Sequence, residues 1–211
     1  SQFSGLGSRT ILVGAGREPK GPSDLFEFFT NTLKNRDVAA LTKRSNVPQF
    51  TEVTPVIFQI ESASFEGETV RGTLIGSSEQ IIPIFEIFPS IGRPFTEQEV
   101  EDAAAVVVLG SEIKDELFGP SDPIGEKIRI RGQSFRVVGI IPPTGNIGIF
   151  NVNEFLAIPH TTMQRYLVGI DYYHRIIGRV AAEDEVEEEV ENIKATLREL
   201  HGISDPSRDD F

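Results

Sequence analysis

The chain has 211 residues, with 20 Lys and Arg against 32 Asp and Glu for a formal charge of −12, and it contains neither Cys nor Trp. A chain of this size buries roughly 70% of its unfolded surface on folding, so a core forms without disulfides or a structural metal, and the hydrophobic and charged contents are those of a globular protein rather than a disordered one. The acidic balance repels nucleic acid and anionic membrane surfaces, and the longest apolar run, Ala103 to Leu109, is far shorter than the roughly 18 residues of a membrane span.

The N-terminal Ser-Gln-Phe-Ser-Gly-Leu-Gly lacks a basic stretch followed by an apolar one, so no signal peptide is read there, and the absence of thiols is compatible with an oxidising compartment. Thr10 to Val13 predicts a strand, and Gly14 to Pro22 a loop. Asp24 to Phe29 is unusually apolar for a connection. Asn35 or Asp37 is placed to cap a short helix running to about Lys43, with Val38, Ala40 and Leu41 facing inward. Val47 to Ile60 is mostly β-branched or aromatic, with Pro48 and Pro55 marking an edge or a bend. Glu66-Gly67-Glu68 turns it into Thr69 to Ile75, which predicts a long hairpin.

Residues 77–88 begin with a Ser cap and carry apolar residues at helical spacing, interrupted by Pro83; Ile91 to Thr96 forms a tight Gly-Pro connection. Ala103 to Leu109 predicts a buried strand, and Gly110-Ser111 starts a short helix with Ile113 and Leu117 four apart, ending at Phe118-Gly119-Pro120. Lys127 to Arg131 and Ser134 to Ile141 form a hairpin around Gly132. Pro142 to Glu154 is a Gly, Pro and Asn loop that nonetheless carries Ile147, Ile149 and Phe150. Phe155 to Ile158 predicts a strand, Thr161 to Leu167 a helix and Tyr172 to Ala181 a strand. Glu183 to Leu200 predicts a long helix whose Val186, Val190, Ile193, Leu197 and Leu200 line one face before Gly202. The ends therefore read as α+β around a middle that is mainly β.

Motifs of known chemistry are weak. Ser111-Glu-Ile-Lys114 matches the S-x-x-K pattern of penicillin-binding enzymes but has no K-T-G or S-D-N partner, and a Ser after Gly at a helix start reads as a cap. Gly14-Ala-Gly16 resembles the opening of a dinucleotide fingerprint, yet Pro19 and Pro22 forbid the helix such a site requires. His160, His174 and His201 are widely separated and show no metal-ligand spacing, and scattered histidines read as surface or capping residues. The acids of Glu183 to Glu191 lack calcium-loop spacing and read as a solvated first turn that complements the helix dipole. Lys127, Arg129 and Arg131 share one face of a strand, with Arg136 across the hairpin; as the wet side of an antiparallel hairpin this stripe needs no function, and as a binding face it would suit an acidic partner better than RNA. No cofactor or metal is expected, and no phosphate loop is present to bind ATP.

Taken together, Ile91 to Thr96 (IGRPFT), Val106 to Gly119 (VVVLGSEIKDELFG), Asp122 to Ile140 (DPIGEKIRIRGQSFRVVGI) and His201 to Phe211 (HGISDPSRDDF) resemble the periplasmic core domain of MacB-type ABC transporter permeases. The resemblance extends to Leu6 to Val13 and to Asp37 to Leu41, and so covers nearly the whole chain. It departs at Lys34, which stands where a capping Thr is expected, and at Asp24 to Phe29, which matches no segment of the family.

The resemblance implies a porter-like α+β subdomain built from 1–64 and 151–211 and an inserted, mainly β sabre-like subdomain over 65–150. It implies a non-catalytic domain outside the cell membrane, periplasmic or extracellular, in a bacterium or archaeon. Flanking helices would tether it to the membrane, and its partners would be the rest of the permease, its ATPase subunit or domain, a second permease copy and an adaptor protein. A free-standing extracellular binding or sensing module of similar fold is the alternative, and an extracytoplasmic hydrolase ranks third; apolar spans in the flanking sequence distinguish the first reading from the others. The transporter reading expects residues 1 and 211 at one end of the molecule and residues near 65 and 150 close together. Because a connection as long as 142–154 is usually functional or disordered, Ile147, Ile149 and Phe150 are the candidate partner-binding anchors, with folding back on the core or wedging between the two subdomains as the alternative.

Overall fold

The computed structural model describes residues 8–16 and 32–211. The Phe-rich segment 24–29 and Ser1, with the expectation about the two termini, lie outside the described residues. In chain order the elements are β1 (Thr10–Gly14), α1 (Asn35–Leu41), β2 (Phe50–Phe65), β3 (Glu68–Ser77), α2 (Ile81–Phe85), β4 (Ile91–Gly92), α3 (Glu97–Glu101), β5 (Val106–Leu109) and α4 (Ser111–Phe118). They continue through β6 (Lys127–Ile130), β7 (Gln133–Ile140), β8 (Asn146–Ile147), β9 (Phe150–Asn151), β10 (Phe155–Pro159), α5 (His160–Thr162), β11 (Arg175–Val180) and α6 (Val186–His201). A π-helical turn, Met163–Val168, follows α5. The described residues of this α+β chain gather into two compact units, 57–170 and 8–56 with 171–211.

In the unit 57–170 the strands close on themselves. β2 pairs with β3, β3 with β10 in parallel, β10 with β5 antiparallel, β5 with β7 in parallel, β7 with β6 antiparallel, and β6 returns to β2 at Ala63 and Ser64. Closure of this kind removes exposed strand edges. The two hairpin turns are written locally: Glu66 and Gly67 have φ of 46° and 94°, Arg131 and Gly132 of 50° and 79°, the paired positive values of a tight type I′ turn. Every residue of β5 and β10 is buried, as expected of strands with a parallel neighbour inside a covered sheet. Phe150 meets the ring of Phe58 at 5.3 Å, whereas Phe65 stacks on Phe118 at 4.4 Å, so position 150 lies beside the middle of β2 rather than its end.

Three glycines in the segments that carry the resemblance sit where backbones touch. A Cβ at Gly92 would stand 2.2 Å from the Val138 carbonyl oxygen, one at Gly110 2.3 Å from that of Asn153, and one at Gly139 2.2 Å from that of Arg93. The rest of the IGRPFT motif is also structural. Arg93 grips Glu99 through two hydrogen bonds of 2.8 Å, holding that carboxyl down at about 2, and the Thr96 hydroxyl accepts from the Glu99 N–H to cap α3.

Several boundaries differ from the sequence reading. The buried strand begins at Val106 because Ala103 turns with φ 50°. The helix expected over 77–88 is only the five residues of α2, ended by Glu86 at φ 56°. The helix expected from Thr161 starts at His160 and widens into the π-helical turn.

In the unit 8–56 with 171–211, β11 lies between β1 and the first half of β2, all antiparallel. The Val56 carbonyl accepts from the His174 N–H, so Pro55 directs its nitrogen away from β11, where no ladder bond is lost. α1 packs against α6. Neither Asn35 nor Asp37 occupies the cap of α1: Lys34 does, and Asp37, inside the first turn and fully buried, accepts from the Lys34 N–H at 2.8 Å. On α6 the buried residues are Glu189, Ile193 and Leu197. Glu189 is thus not part of the solvated first turn expected from sequence. Its carboxylate accepts from the N–H groups of Gln49 at 3.1 Å and Phe50 at 2.9 Å and from Asn192 at 2.9 Å, tying the helix to the start of β2.

Candidate functional site

The weak motifs resolve into structure. Gly110, not Ser111, is the N-cap of α4, and the Lys114 ammonium donates to the Gly119 carbonyl at 2.6 Å, closing the end of its own helix. The Gly16 N–H donates to the Asp210 carbonyl at 2.8 Å. Among the described residues no group of three or more His, Asp or Glu is arranged to hold a metal ion.

His201 has a role that its sequence position did not reveal. Its ring is buried, with Nδ1 2.5 Å from an Asp210 carboxylate oxygen and Nε2 3.0 Å from one of Asp37. Arg198 grips Asp209 at 2.6 and 2.8 Å, the Thr32 hydroxyl donates to the Asp210 carbonyl at 2.8 Å, and Phe211 meets the His201 ring edge to face. The DDF tail is therefore fastened to α6 by charge-assisted hydrogen bonds through Arg198 and His201, and to Gly16 and Thr32 by neutral ones at the Asp210 carbonyl, while His201 also reaches α1 through Asp37.

His160 behaves differently. Burial lowers its pKa to about 4, opposed by a hydrogen bond with the Gln164 side chain. The unfolded chain then takes up a proton near pH 6.5 that the folded chain refuses until about pH 4. The resulting stability is complete above pH 6.5 and is lost as the pH falls through that window, by at most about 3 kcal/mol. Urea midpoints measured from pH 7.5 to 4 are expected to fall more steeply for the natural chain than for His160→Gln; equal slopes would contradict this.

The segment 142–154 is more ordered than a long connection of its composition suggests. β8 and β9 pair as a small hairpin, Asn146 with Asn151 and Ile147 with Phe150, around Gly148 at φ 59°. The Asn153 side chain accepts from the N–H groups of Thr144 at 2.8 Å and Gly145 at 3.1 Å, and the Val152 N–H donates to the Gly145 carbonyl. Asn151 donates to Glu154 at 2.7 Å. This bracing divides the three candidate anchors. Phe150 is buried at 7% exposure against Phe58 and Phe155, Ile147 is half-buried, and Ile149 stands at the tip with 76% of its surface exposed. At the end of this segment Glu154 borders a cavity of about 240 Å³ lined also by Ile60, Arg71, Ile113, Glu112 and Glu116. The tip of the hairpin thus presents a single isoleucine, Ile149, to solvent.

The family model for the MacB-like periplasmic core domain matches residues 1–196. A macrolide export ATP-binding/permease protein MacB of Neisseria meningitidis is 26% identical over 205 residues, 96% of this chain and 31% of that protein. The pyoverdine export ATP-binding/permease protein PvdT of Pseudomonas syringae is 28% identical over 205 residues, 95% of this chain and 30% of its own length. The chain thus spans about a third of the length of these curated relatives. Among solved structures, the periplasmic region of MacB from Actinobacillus actinomycetemcomitans shares the fold with a TM-score of 0.79 at 23% identity, covering 93% of this chain and 86% of that one. The extracellular domain of the ABC-type transporter YknZ does so with 0.73 at 16% identity, covering 92% and 95%. A family model that spans all but the final turns of the chain, joined to the same α+β fold in periplasmic and extracellular domains of transporters, leads to one assignment: the chain belongs to the family of MacB-like periplasmic core domains of ABC transporter permeases.

Proposed function

We propose that this domain is a non-catalytic relay, which couples ATP-driven movement of the membrane helices of its permease to export, or to a partner outside the membrane. The observation that carries the reading is the braced hairpin of β8 and β9, which offers Ile149 to solvent on a support too well hydrogen-bonded to be a slack linker. The unit 57–170 takes the part of the sabre-like subdomain and carries this contact. The unit of 8–56 with 171–211 takes the part of the porter-like subdomain, and its fastened tail makes it a stiff receiver of motion. The ATPase part, a second permease copy and an adaptor protein are its partners in this reading. The cargo differs among relatives whose names mention macrolide or pyoverdine export.

Ile149→Ser is expected to reduce export by the intact transporter several-fold while shifting the melting temperature of this domain by less than about 2 °C, because an exposed side chain contributes little to folding. Phe150→Ser, a buried change, lowers both. Full export by Ile149→Ser with normal protein levels would remove the contact from the reading.

A further inference from the structure

No acidic residue occurs from Lys127 to Asn153, although the whole chain carries a charge of −12. Within that stretch the faces of the β6–β7 hairpin separate fully: Ile128, Ile130, Phe135 and Val137 are buried, and Lys127, Arg129, Ser134 and Arg136 are exposed. The register sets Lys127 directly opposite Arg136, and Arg129 opposite Ser134. Like charges at directly opposed positions destabilise an antiparallel pair, so this arrangement costs the fold stability. Among the described residues no carboxylate forms an ion pair with Lys127, Arg129 or Arg136. Arg131, in the turn, does face one, 3.6 Å from Glu61.

The cationic face continues past the hairpin. Ser134 and Gln133 line a cavity of about 150 Å³ together with Tyr166. Tyr166 is 48% exposed, and the Arg165 guanidinium lies 5.3 Å from its ring centre. Both residues sit on the π-helical turn, a backbone form that recurs at functional positions. Arg165 likewise has no acidic partner among the described residues.

We propose that this face is a docking surface for an acidic, extended segment of a partner protein. Lys127, Arg129, Arg136 and Arg165 receive its carboxylates, and Tyr166 receives an apolar or aromatic side chain. Charge decides the occupant: the rest of so acidic a chain repels carboxylates, and this face attracts them. Spacing decides its form, since Lys127 and Arg129 are about 7 Å apart along the strand, the repeat of same-side residues in an extended chain. The inference rests on the reading that the domain meets a protein outside the membrane.

The test uses the 211-residue chain and a fluorescein-labelled peptide of alternating Glu and Ser with one central Phe, followed by anisotropy. The double variant Lys127→Glu with Arg136→Glu is expected to weaken binding at least about tenfold, as is a rise in salt from about 50 to 300 mM. Arg44→Glu, an exposed cation in the other unit, should change it less than about twofold. Arg136→Glu alone is expected to raise the melting temperature while weakening the peptide, because it turns an opposed like-charge pair into an attractive one; misfolding would lower it. Unchanged affinity in the double variant overturns the proposal. So does displacement of the peptide by equimolar inorganic phosphate, which assigns the face to a small anion. Binding to vesicles of anionic phospholipid without binding to the peptide overturns it in favour of a membrane surface. Each of these failures leaves the export assay on Ile149 untouched, so the two readings fail separately.

Discussion

Replacing Gly110 by alanine is expected to lower stability by about 3 kcal/mol or more, near the upper limit for overpacking, with a fall in melting temperature of roughly 10 °C. The backbone at Gly110 has φ −68°, which suits any residue, so conformational strain contributes nothing. The whole effect is crowding. The added Cβ would lie 2.3 Å from the Asn153 carbonyl oxygen and 2.4 Å from that of Val152, and both are main-chain atoms with no rotamer to change. Gly110 also donates its N–H to the Phe155 carbonyl at 2.8 Å and accepts from the Lys114 N–H at 3.0 Å, so it cannot retreat without opening the β5–β10 pairing or the start of α4. Because Val152 and Asn153 brace the hairpin that carries Ile149, Gly110→Ala should also reduce export more than its loss of stability alone would. Thermal and urea unfolding of the purified chain test the first part; a melting temperature within about 2 °C of the natural chain would contradict it.

The second large effect is expected from Glu189→Ala, at about 3 kcal/mol. Alanine is a better helix former than glutamate, so propensity on α6 acts slightly in the opposite direction. What is lost is the buried acceptor for two backbone N–H groups, at Gln49 and Phe50, together with its bond from Asn192. A buried N–H left without a partner retains its full desolvation cost, and hydrogen bonds to a charged acceptor are the stronger kind. Glu189→Gln should lose only about 1 kcal/mol, because its amide oxygen can still accept from both N–H groups. Glu187→Ala and Glu188→Ala, exposed on the same turn, should stay within about 0.5 kcal/mol of the natural chain. Chemical unfolding of the four variants reads the contrast; equal values for positions 187, 188 and 189 would show that Glu189 is solvated after all.

Local chemistry made much of the fold legible. The turns at Glu66-Gly67 and Arg131-Gly132, the end of α6 at Gly202, and the alternation of Lys127, Ile128, Arg129 and Ile130 all follow from residues close together in sequence, where backbone preference and solvent act directly. The segments around Gly92, Gly110 and Gly139 were legible as a family resemblance, but not for their reason. Each glycine is required by a carbonyl from a distant part of the chain, and spacing along one strand carries no record of what passes across it.

The same physics hid Glu189 among the acids of α6 and His201 among scattered histidines. A carboxylate is solvated or buried according to whether unpaired N–H groups or an imidazole meet it, and those partners arrive from β2, α1 and the tail. Of Ile147, Ile149 and Phe150, composition showed only that three apolar side chains lie in a polar segment. The pairing of β8 with β9 assigned Phe150 to the core and Ile149 to solvent, because a tight turn sends neighbouring side chains to opposite faces. The sequence by itself thus determined the α+β order of elements, the turns and the wet and dry faces of the hairpins. The closure of β6 onto β2, the two units dividing at 56/57 and 170/171, and the exposure of each candidate residue were decided only by tertiary contacts, since these depend on which distant surface covers each face.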